Sequence, residues 1–125
     1  MHNIKLSYLY RDAGNYKKWA DVVFSNPDGS TLEEVTKALK DAFLQDGLFI
    51  AHQIRIPQAF LFDRGDATSD DHCFHEFGSV EVSSEAPNDA YSRSITQFII
   101  EVNKEAKRGW AAFDPHDRLA KQISS

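Results

Sequence analysis

The chain has a single cysteine, Cys73, so no disulfide closes within it, and this leads us to expect a reducing, cytoplasmic setting. No apolar run approaches the roughly 18 residues that a membrane helix needs. The opening MHNIKLSYLY passes directly into alternation, with no basic patch ahead of an apolar block, so no signal peptide is expected. Also lacking are a Walker loop, a dinucleotide-binding glycine fingerprint and a Gly-x-Ser-x-Gly elbow, which removes the commonest nucleotide-dependent and serine-hydrolase readings. Asp63, Asp66, Asp70 and Asp71 do not keep the spacing of an EF-hand loop. The tripeptide Arg64-Gly65-Asp66 matches an adhesion motif, but it is short enough to recur by chance.

What is present suits one folded domain spanning residues 1–125. Apolar residues make up 42% and aromatics 12% of the 125 positions, enough to build a core. The formal charge is −5 and it is unevenly spread. Residues 1–20 carry Lys5, Arg11, Lys17 and Lys18 against Asp12, whereas residues 61–90 carry eight acids against Arg64. Such an arrangement is either a solvated loop region or a bipolar surface that orients a partner or a second copy. The basic groups are few and scattered, so general nucleic-acid binding is not expected.

Periodicity supplies the elements. IKLSYLYR alternates, with Ile4, Leu6, Tyr8 and Tyr10 on one side. A turn at Gly14 and Asn15 then leads to a second β-rich run, KKWADVVFS, which makes a hairpin. Ser30 and Glu33 form a capping-box pattern, followed by a helical stripe of Leu32, Val35, Leu39, Ala42 and Phe43, with Gly47 as C-cap. LFIAHQIRIP alternates and is expected as a third strand carrying His52 between Ile50 and Ile54, ended by Pro57. HCFHEFGSVEVSS is expected as the fourth strand, with a bulge at Gly78. A second helix is expected to start at Asn88 or Asp89, to bury Tyr91, Ile95, Phe98, Val102 and Ala106, and to end at Gly109, with Lys104, Lys107 and Arg108 favouring its dipole. Asp114 and Pro115 open a possible short helix in the tail, residues 110–125. The fold class is α+β, in the order ββαββα, with a four-stranded, mainly antiparallel sheet and two helices on one face. Tyr8, Tyr10, Trp19 and Phe24 supply more aromatic surface than two short helices hide, which points to a homodimer through an exposed sheet face or edge.

The densest chemistry lies in DDHCFHEF, residues 70–77. On a strand, His72, Phe74 and Glu76 point one way and Cys73, His75 and Phe77 the other. If the third strand matches the first of these faces, His52, His72 and Glu76 converge as two histidines and a carboxylate, a set that suits zinc or another divalent metal. The alternative is a core His52 with polar neighbours. A histidine beside Asp71 or Glu76 is a candidate acid–base group, and Cys73 near His75 a candidate thiolate. In YRDAGNYKK, Arg11 and Lys17 with the turn amides can hold an anion, and Tyr10 and Tyr16 can stack on a base. Arg55, His75 and Arg93 are further candidates for an anionic ligand.

YLYRDAGNYK, VVFSNP, DH followed by HEF, and EAPN resemble the motifs of a family of small bacterial and phage proteins without an assigned activity. The resemblance spans residue 4 to about residue 88. Phe74 stands where that family often has tryptophan, which keeps a ring and loses an indole donor. The resemblance implies a stand-alone domain and no particular reaction. The expected function is a small non-enzymatic binding module, dimeric, recognising an anionic, nucleotide-like ligand or a protein partner, with no membrane and no cofactor. The alternatives are a metal-dependent hydrolase on His52, His72 and Glu76, and an interaction protein of a phage or mobile element whose acidic segment mimics a polyanion.

Overall fold

Strict alternation with one face buried makes the first strand. In the computed structural model of the protein, which describes residues 2–11, 16–59 and 74–111, β1 (Asn3–Arg11) buries Ile4, Leu6, Tyr8 and Tyr10 on one side. β2 (Lys17–Phe24) pairs with it antiparallel, from Ile4 opposite Phe24 to Arg11 opposite Lys17. β3 (Leu48–Phe49) and β4 (His75–Ser83) complete a four-stranded sheet of order β2-β1-β4-β3, antiparallel at each junction. Two helices follow from amphipathic sequences, α1 (Leu32–Ala42) and α2 (Ile95–Arg108). Val35 and Leu39 of α1 join Ile95, Phe98 and Val102 of α2 in one core with Ile4, Leu6, Tyr8, Val22 and Phe24 of the sheet. Phe24 stacks on Phe98 at 4.4 Å and Phe43 on Phe49 at 4.5 Å. The architecture is α+β. The opposite, outer face of the sheet carries Lys5, Ser7, Leu9 and Arg11 of β1.

Several boundaries differ from the sequence expectation, each for a local reason. The capping box of α1 is Thr31 and Glu34, one residue beyond Ser30 and Glu33, because the Asn26 side chain bonds both the N–H and the C=O of Ser30 and holds it in the preceding turn. Gly47 does not cap that helix. Phe43 does, in extended conformation, and Gly47 closes a separate 3-10 turn, Gln45–Gly47, with φ +74°. The third strand stops after Leu48–Phe49. The buried spacing of Ala51 and Ile54 then serves a 3-10 turn, Ala51–Ile54, ended by Arg55 in the left-handed region, whose N–H bonds the Ala51 and His52 carbonyls. His52 is therefore not on a strand.

The second helix begins later than expected. Its N-cap is Ser94, in a capping box with Gln97. Asn88 and Asp89 are engaged elsewhere, and Ser92 takes φ +53°, which no helix start tolerates. Tyr91 accordingly lies ahead of the helix and is exposed. Gly109 is the C-cap, and Lys107 and Arg108 occupy the last turn. Gly78 is the extra residue of a bulge: Ser7 faces Ser79, but Tyr8 faces Phe77. Of the four aromatics expected to exceed the helices' cover, Tyr8, Tyr10 and Phe24 are fully buried, and only Trp19 is exposed. The hairpin turn at Gly14 and Asn15, the segment with His72 and Cys73, and the tail with Asp114 and Pro115 lie outside the described residues.

Candidate functional site

Three polar constellations stand out among the described residues: one interior, one built on a buried arginine with exposed Arg55 and Tyr91 at its edge, and one on the outer face of the sheet. The first is interior. His75, fully buried, follows from β4 alternation onto the core side, where it meets the rings of Tyr8, Tyr10 and Phe49 at 5.6–6.2 Å. Its Nε2 accepts the Ala59 N–H at 2.8 Å, which puts the ring proton on Nδ1. Beside it the Tyr8 hydroxyl donates to the Pro57 carbonyl at 2.6 Å. Burial, with the negative charge of Asp21 adding to it, pushes the Tyr8 phenol well above its ordinary range. The two bonds fasten residues 57–59 to the sheet. Ala59 and His75 therefore lie together at one end of the sheet, the end where β1 and β2 carry Arg11 and Lys17.

The second constellation centres on Arg93, 8% exposed. All five guanidinium donors are engaged: two on the Asp89 carboxylate, one each on the Ile54 and Arg55 carbonyls, and one on Glu101, all at 2.9 Å. The Arg93 N–H also bonds Asp89. The guanidinium lies 5.0 Å from the Phe98 ring centre and 5.4 Å from that of Tyr91, whose ring also lies 5.4 Å from the Arg55 guanidinium. Burial pushes the Asp89 carboxyl up, but the hydrogen bonds and charge of Arg93 outweigh this and hold it below the usual carboxylate range. Burial likewise works against the charged Arg93, and its bonds to Asp89 and Glu101 overcome it. Arg93 thus clasps the 3-10 turn at Ala51–Ile54 to the start of α2. Of the candidates for an anion, the structure brings Arg55 and Arg93 together here, through Glu101 and Tyr91.

The third constellation is the outer face. Trp19 sits opposite Leu9, on the parity of β2 that points away from Ala20, Val22 and Phe24. Its indole reaches across β1 to β4, where a Cβ on Gly78 would lie 2.7 Å from Trp19 Cζ3 and 2.8 Å from the Ser7 carbonyl oxygen. The bulge needs a residue without a side chain at this point. Leu9 is buried in this face, while Trp19 remains 58% exposed. Toward the hairpin end, Lys17 stands directly opposite Arg11, and Arg11 bonds Glu76 on the neighbouring strand at 2.9 Å. Like charges opposite each other on a sheet are unfavourable, and Glu76 offsets one of them. Tyr16 is exposed, and Lys17 makes no ion pair among the described residues; Lys18, opposite Tyr10, has the other parity and belongs to the other side of the sheet. Toward the far end stand Asp21, Glu81 and a Lys5–Glu85 ion pair, in which Glu85 raises the Lys5 ammonium and Lys5 lowers the Glu85 carboxyl.

Glu76 and His52 are not brought together. Glu76 is on the outer face with Arg11, whereas His52 belongs to the 3-10 turn whose neighbour Gln53 bonds Glu105 and Gly109 at the end of α2. His72 and Cys73 lie outside the described residues, and among the described residues no group of three histidine, cysteine or acidic side chains is set to hold a metal. Three of the four described acids between residues 74 and 90, Glu76, Glu85 and Asp89, are in ion pairs and do not form one acidic block. A groove of about 510 Å³ opens between the end of α1 and β4, floored by Phe43 and Phe77. Its rim holds one lysine, Lys40, and one aspartate, Asp46, and so selects no ligand charge. The sequence marks Trp19 as one of four surplus aromatics and does not single it out from the three that are buried. Its signal is parity: a large aromatic that falls on the polar side of an otherwise alternating strand. Comparison with family models, with curated proteins and with solved structures finds no match for this chain.

Proposed function

We propose that the protein is a small, non-enzymatic binding module that docks its partner on the outer face of the sheet around Trp19. One observation carries this reading: a tryptophan held across a glycine bulge, more than half exposed, over a buried leucine and between charges of both signs. Large aromatics with a charged rim are where interface energy concentrates. Lys17 on this face, with the exposed Tyr16 next to it in the chain, supports a second reading in the same place, an anionic, nucleotide-like ligand whose base stacks on an aromatic ring while its phosphate meets Lys17. For the whole chain we propose the order ββαββα closed by a short helix in the tail, acting in the cytoplasm.

The test is a titration of isotope-labelled protein followed by amide and indole resonances. ATP serves as the anionic probe and a polyglutamate peptide as the acidic protein-like probe. Shifts confined to Leu9, Lys17, Trp19 and Gly78, and lost in Trp19→Ala, support the module. Shifts unchanged by Trp19→Ala, or none with either probe together with a monomeric chain at high concentration, refute it.

A further inference from the structure

The charges of the outer face are ordered along the strands. At one end Lys17 faces Arg11, in the middle stand Trp19, Leu9 and Glu76, whose charge Arg11 answers, and at the other end are Asp21, Glu81 and Glu85 around Lys5. Lys17 and Asp21 lie on the same side of β2, four residues apart, about 13 Å at the usual rise of a strand, so they cannot reach each other. Neither makes an ion pair among the described residues. Trp19 is the midpoint between them.

This is the pattern of a self-complementary surface. A two-fold axis lying in the interface and crossing the strands at Trp19 reverses the strand direction of the second molecule. Each Lys17 then meets the Asp21 of the other copy, and Trp19 meets its own counterpart on the axis. Stacking in the same strand direction would instead set lysine against lysine and aspartate against aspartate.

We infer that the partner of the outer face is a second copy of this chain, packed face to face about that axis. The inference rests on the reading of this face as a docking surface and names its occupant. Charge complementarity selects the copy: a purely acidic partner would meet Asp21 and Glu81, and a purely basic one would meet Lys17 and Arg11. Two strands of nine residues and one of eight, about 4.8 Å apart, present a face on the order of 400 Å² per copy, about 800 Å² for the pair and below the size of a standard stable interface. The association is therefore weak, in the range where concentration decides the state, and sensitive to salt because the ionic contacts lie at the rim.

Sedimentation equilibrium of the full chain over a range of concentration and salt tests it. The expected result is a monomer–dimer equilibrium weakened by salt. Lys17→Glu and Asp21→Lys each create two repulsive contacts per dimer, so each raises the dissociation constant by about tenfold or more. The double variant K17E/D21K recreates the complementarity with signs exchanged and restores the wild-type constant to within a few-fold. Both positions are exposed, and circular dichroism melts confirm that the variants fold. A chain that stays monomeric up to the millimolar range overturns the inference, as does a dimer that neither single reversal weakens, or single reversals that the double does not rescue. A monomer whose Trp19 resonance still shifts with ATP overturns this inference alone and leaves the proposed function standing.

Discussion

Replacing Arg93 with alanine should cost the fold a large part of its stability. The guanidinium is 8% exposed and makes five hydrogen bonds, two of them to a carboxylate that is itself buried. Removing one member of such a pair strands the other, which costs about 3–5 kcal/mol. Against a typical total of about 5–15 kcal/mol, that is about a fifth or more. With a urea dependence of about 2 kcal/mol per molar, the unfolding midpoint followed by far-ultraviolet circular dichroism should fall by roughly 2 M at pH 7.

Two controls identify the cause. Arg93→Lys keeps the charge but not the fork, and should lie between wild type and alanine. Asp89→Asn with Arg93→Met leaves no charge buried and should recover part of the loss. The pH dependence gives a sign. In the wild type Asp89 is held below its ordinary range, so its contribution is present above about pH 4, the unfolded value, and disappears as pH falls through the lower folded value. In Arg93→Ala the carboxylate is buried without its main cation, its pKa rises, and acidification relieves the penalty. The difference between the two proteins should therefore shrink as pH drops. A midpoint that moves by less than about 0.5 M, or a difference that grows in acid, would refute the clasp.

Other outcomes follow from the same structure. Gly78→Ala puts a Cβ 2.7 Å from the Trp19 ring and 2.8 Å from a backbone oxygen, which should destabilise by about 1–3 kcal/mol and shift tryptophan emission as the indole is displaced. A thermal melt recorded by fluorescence checks both. His75→Leu leaves the Ala59 N–H buried without its acceptor. It should cost about 1–3 kcal/mol and speed hydrogen exchange at the Ala59 amide, and an unchanged exchange rate would dismiss the fastening role. The Tyr8 phenol is raised by burial, so stability should hold up to about pH 10 and decline above it as the unfolded chain ionises first. In Tyr8→Phe that component of the alkaline decline, read from melts across pH, should be absent.

How much of this is legible in the sequence depends on where periodicity is unambiguous. β1 is legible because its buried set has a period of two, and the later turns of α1 and α2 because Val35 and Leu39, or Ile95, Phe98 and Val102, recur at helical spacing. Ile50, Ile54 and Ile56 keep the parity of a strand while Ile50, Ala51 and Ile54 keep helical spacing, and backbone bonds such as those of Gln53 and Arg55 decide for the turn over the strand. The start of α2 is hidden for another reason. Asn88 and Asp89 have the chemistry of caps, but tertiary partners claim them first. On the candidate site, Arg11 is legible as a surface cation, and Tyr16 and Lys17 as exposed neighbours. That Glu76 answers Arg11, and that Gly78 makes room for Trp19, depends on cross-strand register, which a single sequence does not state.

The Asn88 contact has its own consequence. Its side-chain oxygen accepts the Val23 N–H at 2.8 Å while its own N–H goes to the Val23 carbonyl at 3.0 Å, and farther along Ile95 donates to Ser25. One amide residue thus imitates a neighbouring strand at the inner half of the β2 border, leaving no vacant ladder there for a foreign chain to extend. Replacing Asn88 with alanine would take the acceptor from the Val23 N–H and leave one donor open at that border. That half of the border should then offer a foreign strand its first point of attachment.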